Sequence, residues 1–138
     1  ITVKGNKTFK SQSQSGIIVD QTSWPLMING REIPADKINA LKSEMDFEVH
    51  KATALELGFE LFCKRAKIGQ NKHIRVRPRF SNWSCTGTIT VIDHKITKET
   101  VIRIFNEAGL YSGLCDWRPS SPKSPGSFGK FTAEVEEI

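Results

Sequence analysis

The 138-residue chain has few cysteines and no long apolar segment, and each absence excludes a class of protein. Its three cysteines, Cys63, Cys85 and Cys115, are an odd number at wide spacings, which argues against a disulfide framework and for a reducing compartment. No apolar run approaches the ~20 residues that a membrane-spanning helix needs, and there is no signal-peptide pattern. We therefore expect a cytoplasmic protein with no membrane contact. Because Ile1 stands first instead of Met, we expect the chain to be the C-terminal part of a longer protein.

Acidic residues are missing from one long stretch. Residues 61–92 contain no Asp or Glu, although the whole chain has 15 of them against 20 Lys and Arg, a net charge of +5. The cations of this stretch are Lys64, Arg65, Lys67, Lys72, Arg75, Arg77 and Arg79, with His73 among them. Such a patch favours an anionic partner. The alternative is a solvated face whose acidic neighbours come from elsewhere in the fold.

Short apolar runs and turn residues predict strands near the start of the chain. Residues 1–4 are typical of a strand, residues 8–15 of a polar loop, and residues 16–20 of a buried strand. Asn29 and Gly30 supply the positive φ angles of a type I′ turn, so we expect a β-hairpin centred on them.

Capping residues predict three helices. Pro34 is suited to the first turn of a helix that runs to about residue 42. Asp46 can begin a second helix and Gly58 can end it. Thr97 can begin a third helix, for which Gly109 is a plausible end.

The second half of the chain is predicted to be mostly strands. Residues 59–64, 73–80, 83–92 and 128–135 have the apolar or alternating patterns of strands, and residues 69–72 indicate a turn. A strand, a helix and a closing strand favour an α+β fold, ferredoxin-like or RRM-like, with helices on one face of a sheet and the hairpin region before it. We expect one domain, with a hairpin and helical segment over 1–58 and the basic strand, the βαβ unit and a Gly/Pro loop over 59–138.

Three arginines alternate along the basic strand. Arg75, Arg77 and Arg79 would point to one face of a strand, roughly 7 Å apart, which approximates the spacing of phosphates along an extended nucleic-acid strand. A face with three like charges must meet solvent or an anion. Lys72 and His73 lie just before them, and Pro78 indicates an edge strand or a bulge. The alternative is an edge strand made basic to prevent aggregation.

A Gly/Pro/Ser-rich loop over residues 113–130 is the second candidate binding element. Its backbone N–H groups, hydroxyls, cations and aromatic rings could hold phosphates and stack on bases. The candidate contacts are Trp117, Arg118, Lys123, Gly126, Gly129 and Lys130. The alternative is a surface loop that Trp117 and Phe128 attach to the core.

The sequence predicts no catalytic residue, metal site or cofactor. Neither the cysteines nor the histidines show a ligand spacing typical of zinc. His73 or His94 could act as the base of a metal-independent ribonuclease, with an arginine stabilising charge. A histidine in a basic strand is more often only a contact.

Two resemblances add to these observations. The Arg-Pro-Arg-Phe strand ending at Phe80, and the loop in which Asp116-Trp-Arg-Pro leads to Pro-Gly-Ser-Phe-Gly129, resemble a family of uncharacterised bacteriophage and prophage proteins. This resemblance implies the cytoplasm of an infected or lysogenic bacterial host, and Cys115 stands where that family has glycine. The C-terminal topology is also similar to RAMP proteins, the RNA-binding subunits of CRISPR complexes, whose glycine-rich loop would correspond to Gly113, Gly126 and Gly129.

The sequence thus supports three hypotheses. The first is a phage-type protein that binds single-stranded RNA or DNA through the basic strand and the Gly/Pro loop. The second is a phage protein-interaction module or inhibitor that binds an acidic surface of a host complex. The third is the ribonuclease.

Overall fold

The computed structural model describes residues 10–123 and 125–138, with the side chains of all of these except residues 66–68 and 73. It is an α+β structure. Its elements are α1 (Lys10–Gly16), β1 (Ile17–Val19), β2 (Leu26–Ile28), β3 (Arg31–Glu32), α2 (Ala35–Ala40), α3 (Phe47–Leu57), β4 (Glu60–Ile68), β5 (Asn71–Arg79), β6 (Trp83–Cys85), β7 (Ile89–Val91) and α4 (Lys98–Glu107).

The chain forms two compact units. One comprises Asp20–Thr88, and the other comprises the described residues up to Val19 together with Ile89–Ile138. The first contains the antiparallel sheet β3-β2-β6 and the hairpin β4-β5, and the second contains the antiparallel pair β1-β7.

The Asp20–Thr88 unit is organised by the turn at Asn29 and Gly30. These residues have φ angles of 51° and 78°, which confirms the predicted hairpin, here β2 and β3. The hairpin contributes to the core of this unit. The buried side chains of this core are Ile28, Ile33, Ala54 and Phe59.

The helices of this unit begin and end where local signals place them. Pro34 directly precedes α2. Asp46 caps α3 by accepting a hydrogen bond from the N–H of Glu48 at 3.0 Å, and Gly58 ends it in the left-handed conformation, φ 83°. Both predictions are confirmed, because a cap and its partner lie within a few residues of each other.

The other unit is built around α4. Thr97 caps this helix by accepting from the N–H of Thr100, as predicted, and Val101 and Ile96 are buried. The α-helix ends at Glu107 with Ala108 as its C-cap, which confirms the predicted end at about residue 108. Gly109 does not stop the helical backbone, because the chain continues as a π-helical turn over Ala108–Ser112 and leaves it at Gly113. Gly109 instead allows a close approach of the chain, since a Cβ there would lie 1.9 Å from the carbonyl oxygen of Phe131.

The strand predicted over residues 83–92 is wrong as a single element. It is divided into β6 and β7, which belong to different sheets. A Cβ on Gly87 would lie 2.0 Å from the indole ring of Trp24, so this ring covers the chain between the two strands. Nearby, the N–H of Thr88 donates to the side chain of Gln21 instead of to a neighbouring strand.

The closing strand predicted over residues 128–135 is also wrong. No strand follows α4 in the described part of the chain. The N–H of Ala133 donates to Oδ1 of Asn106 at 2.9 Å and that of Phe131 to the carbonyl of Gly109 at 3.4 Å, so the segment pairs with the helical region. The βαβ unit is therefore not formed, and the ferredoxin-like arrangement is not confirmed.

The start of the chain differs from expectation in two respects. Residues 10–15, predicted to be loop, belong to α1. The strand predicted over 16–20 is confirmed as β1, but Ile18 and Val19 are exposed, so it is not a buried strand. Residues 1–4 lie outside the described residues.

Candidate nucleic-acid interface

The strongest candidate site is the hairpin formed by β4 and β5, called the basic hairpin below. The two strands pair over nine residues each, from Glu60 opposite Arg79 to Ile68 opposite Asn71. Gly69 begins the tight turn between them with a φ of 63°, which a type II′ turn requires at its first central residue. The strand predicted over 59–64 is thus four residues longer than expected at its C-terminal end.

The basic hairpin is attached to its unit at one end only. Phe59 is buried, and its ring centroid lies 5.3 Å from that of Phe80, directly beyond β5. Leu61 packs against the same core. Between Cys63 and Arg77, every residue whose side chain is described is exposed. Burial at one end and exposure beyond it leave a two-stranded ribbon with both faces open to solvent.

The register sorts the side chains of the basic hairpin between its two faces. Residues opposite each other share a face, so Arg75, Arg77 and Arg79 lie on one face with their partners Lys64, Phe62 and Glu60. The predicted alignment of the three arginines is therefore confirmed. The opposite face carries Arg65, Lys72, Ile74, Val76 and Cys63. His73 lies opposite Ala66, and its side chain is outside the described part.

Arg79 differs from the other two arginines. Its Nε donates to Oε2 of Glu60 at 2.9 Å, its Nη2 contacts the same oxygen, and its guanidinium lies 5.2 Å from the ring centroid of Phe62. The charge of Arg79 is thus already balanced. Sequence reasoning missed this pair because Glu60 lies one position outside the acid-free stretch. Counting outward from the turn at Gly69 would have placed it opposite Arg79.

Arg75 has the opposite environment. It faces Lys64 across the strands, and no ion pair or hydrogen bond to its side chain is found among the described residues. Like charges directly opposite each other in an antiparallel pair are destabilising. The exposed cation Lys64 of β4 therefore lies beside the predicted arginines, and Arg65 of the same strand is exposed on the opposite face. The predicted site included only the hairpin cations of β5.

The Gly/Pro loop is held together by its own residues. Arg118 donates from Nη1 to the carbonyl of Cys115 at 3.0 Å and from Nε to Oγ of Ser120 at 3.1 Å. Trp117 is half-buried, with its ring centroid 5.8 Å from that of Phe128. Both predicted contact residues therefore have a structural role in the loop, whereas Lys123 and Lys130 are exposed.

The glycines of the loop are sites of close backbone approach. A Cβ on Gly126 would lie 2.2 Å from the carbonyl oxygen of Trp117, and one on Gly129 would lie 1.9 Å from that of Leu114. Gly129 also has a φ of 71°. These contacts explain the glycines by packing within the loop, and their contact with nucleic acid stays a prediction.

The candidate residues are divided between the two units. Those of the basic hairpin belong to Asp20–Thr88, and those of the loop belong to the unit that includes Ile89–Ile138. Each group is therefore a separate candidate site, and the basic hairpin is the more exposed of the two.

The described residues contain no cluster of three or more His, Cys, Asp or Glu able to hold a metal ion. Cys63 and Cys115 are exposed and Cys85 is half-buried, and all three are free thiols. Among the helices of the described residues, none is long and apolar enough to cross a bilayer. No protein-family model, curated protein or solved structure matches this chain.

Proposed function

We propose that this protein binds nucleic acid through the basic hairpin. The observation that carries the proposal is the exposed ribbon on which Lys64 and Arg75 face each other, next to Arg77, with both faces open to solvent. A row of exposed cations on a narrow ribbon attracts a polyanion, and each phosphate that it contacts releases condensed counterions.

The form of the nucleic acid depends on the aromatic rings. Single strands are held by exposed rings on which bases stack. On the basic hairpin, Phe62 is half-buried and lies under the guanidinium of Arg79, and Trp117 of the loop is half-buried near Phe128. Preference for a single strand, and a phage role, remain predictions from the sequence.

An acidic protein surface is the second candidate partner. The cations of the basic hairpin would attract the acidic groups of such a partner. In the described structure β4 and β5 pair only with each other, so both strands also have a free edge. Unpaired strand edges can accept an added strand from another protein.

The test is a binding titration with purified, nuclease-treated protein and labelled 20-nucleotide DNA and RNA, each as single strand and duplex, at several salt concentrations. The variant is Arg75→Gln with Arg77→Gln. The matched control removes the same charge outside the basic hairpin, by Lys95→Gln with Lys98→Gln.

We expect the hairpin variant to bind more weakly and to lower the log–log salt slope by ~0.7–0.9 per lost contact. The control should keep the slope of the unmodified protein. Equal slopes for the two variants, or no binding to any form of DNA or RNA, would overturn the proposal.

A further inference from the structure

We infer that the basic hairpin is built for B-form duplex DNA and lies in its major groove, with its two faces toward the two phosphate rows. This inference rests on the proposed function and specifies its ligand. It is carried by the placement of the cations and by the dimensions of the ribbon.

The cations occupy both strands and both faces of the exposed part. Arg75 and Arg77 lie on one face, and Arg65 and Lys72 lie on the other. A single nucleic-acid strand offers one row of phosphates, which only one of these faces could follow. A groove of a duplex has a phosphate row on each side, so both faces can be used at once.

The dimensions of the ribbon select the groove. Paired strands lie ~4.8 Å apart, and a sheet with its side chains is ~10 Å thick. The major groove of B-DNA is ~12 Å wide and ~8.5 Å deep and admits a two-stranded ribbon, whereas the minor groove is only ~6 Å wide. The major groove of an RNA duplex is too narrow for protein side chains to read. B-form DNA is therefore the duplex that fits.

The free end of the ribbon is long enough to enter the groove. Residues beyond Phe62 extend for about 20 Å at ~3.3 Å per residue, and a turn of only two residues, Gly69 and Gln70, closes this end. The core contacts of Phe59 and Phe80 hold the other end.

Variants on the two faces test the inference. The first is Arg75→Gln with Arg77→Gln, and the second is Arg65→Gln with Lys72→Gln, each compared with Lys95→Gln/Lys98→Gln. Each is titrated against a 20-base-pair DNA duplex, either strand alone and an RNA duplex of the same sequence. All four positions are exposed, so unchanged thermal melting is expected and is checked first.

We expect both hairpin variants to weaken duplex binding and to lower its salt slope by ~0.9 per contact. Dimethyl sulfate protection should fall on guanine N7, in the major groove, and not on adenine N3, in the minor groove. Tighter binding to a single strand or to the RNA duplex, an Arg65/Lys72 variant that binds the DNA duplex normally, or protection of adenine N3 alone would overturn this inference and leave the proposed function standing. Absence of binding to every nucleic acid would overturn both.

Discussion

At the residue scale, Arg75 and Arg79 are alike in sequence spacing but differ in their cross-strand partners. Arg79 faces Glu60 and is paired with it, whereas Arg75 faces Lys64. The Arg79 pair is largely exposed, with 44% of the arginine side chain accessible, so its contribution to folding is only about 0–1 kcal/mol. Its main consequence is electrostatic, because it removes one cation from the face available to phosphates.

The pairing predicts unequal effects of equivalent substitutions. Arg75→Gln should reduce nucleic-acid affinity and its salt slope more than Arg79→Gln, because Arg79 must first give up Glu60. Glu60→Gln should strengthen binding, since it frees the guanidinium. Anisotropy titrations over a salt series measure all three variants. Equal losses for the two arginine variants would show that the ion pair has no influence on binding.

Cys115 occupies a backbone conformation that suits glycine. Its φ is 63°, in the left-handed region that costs an L-residue about 1–2 kcal/mol. Its thiol is exposed, so little packing is lost with it. We expect Cys115→Gly to raise the free energy of unfolding by up to about 1 kcal/mol, and Cys115→Val to lower it, in urea unfolding. A destabilising glycine variant would mean that the thiol contributes to the loop.

At the element scale, α4 begins with a set of hydrogen bonds around Thr97. The Thr97 side chain accepts from the N–H of Thr100, and the pKa of Glu99 lies below its usual range. The main cause is a hydrogen bond from the Glu99 backbone N–H to the carboxylate, and the second is one from Thr97. A carboxylate near the N-terminus also suits the helix dipole.

Because the pKa of Glu99 is lowered, the stability of the first turn of α4 should depend on pH. An acid whose pKa is lowered by folding contributes stability that is full above its unfolded pKa and is lost as the pH falls through the folded pKa. Stability should therefore decrease on acidification below about pH 4.5, the ordinary value for this group. Urea unfolding at several pH values, with Glu99→Gln as comparison, checks this. If Glu99→Gln lost stability on acidification to the same extent as the unmodified protein, the contribution assigned to Glu99 would be wrong.

At the scale of the whole molecule, each unit has its own apolar cluster. Ile28 and Phe59 are buried in the Asp20–Thr88 unit, and Ile96 and Val101 are buried in the other. The basic hairpin is attached to the first of these clusters through Phe59. Its anchoring therefore depends on that core.

Core substitutions should consequently have regional effects. Val101 is 2% exposed, so Val101→Ala should destabilise by roughly 1–3 kcal/mol through lost burial and a cavity. We expect hydrogen exchange to accelerate chiefly in the Ile89–Ile138 segment, and Ile28→Ala to act chiefly on Asp20–Thr88. Exchange measured by mass spectrometry resolves the two. Equal acceleration in both segments after either substitution would contradict separate cores.

The sequence by itself determined the features whose interacting groups are close along the chain. The turn at Asn29 and Gly30 needs only their positive φ angles, and Asp46 and Thr97 cap helices through N–H groups two or three residues away. The shared face of Arg75 and Arg77 follows from the two-residue period of a strand. Each of these depends on local geometry alone.

Tertiary structure decided the features that depend on distant partners. Trp24 covers Gly87 and divides a run of ten strand-like residues, and Asn106 takes the N–H of Ala133 that a sheet would otherwise have used. Glu60 neutralises Arg79 only because the hairpin register places them opposite each other. An alternating pattern specifies which side chains share a face, but a strand also needs a neighbour for its backbone hydrogen bonds. Only the fold determines whether that neighbour is there.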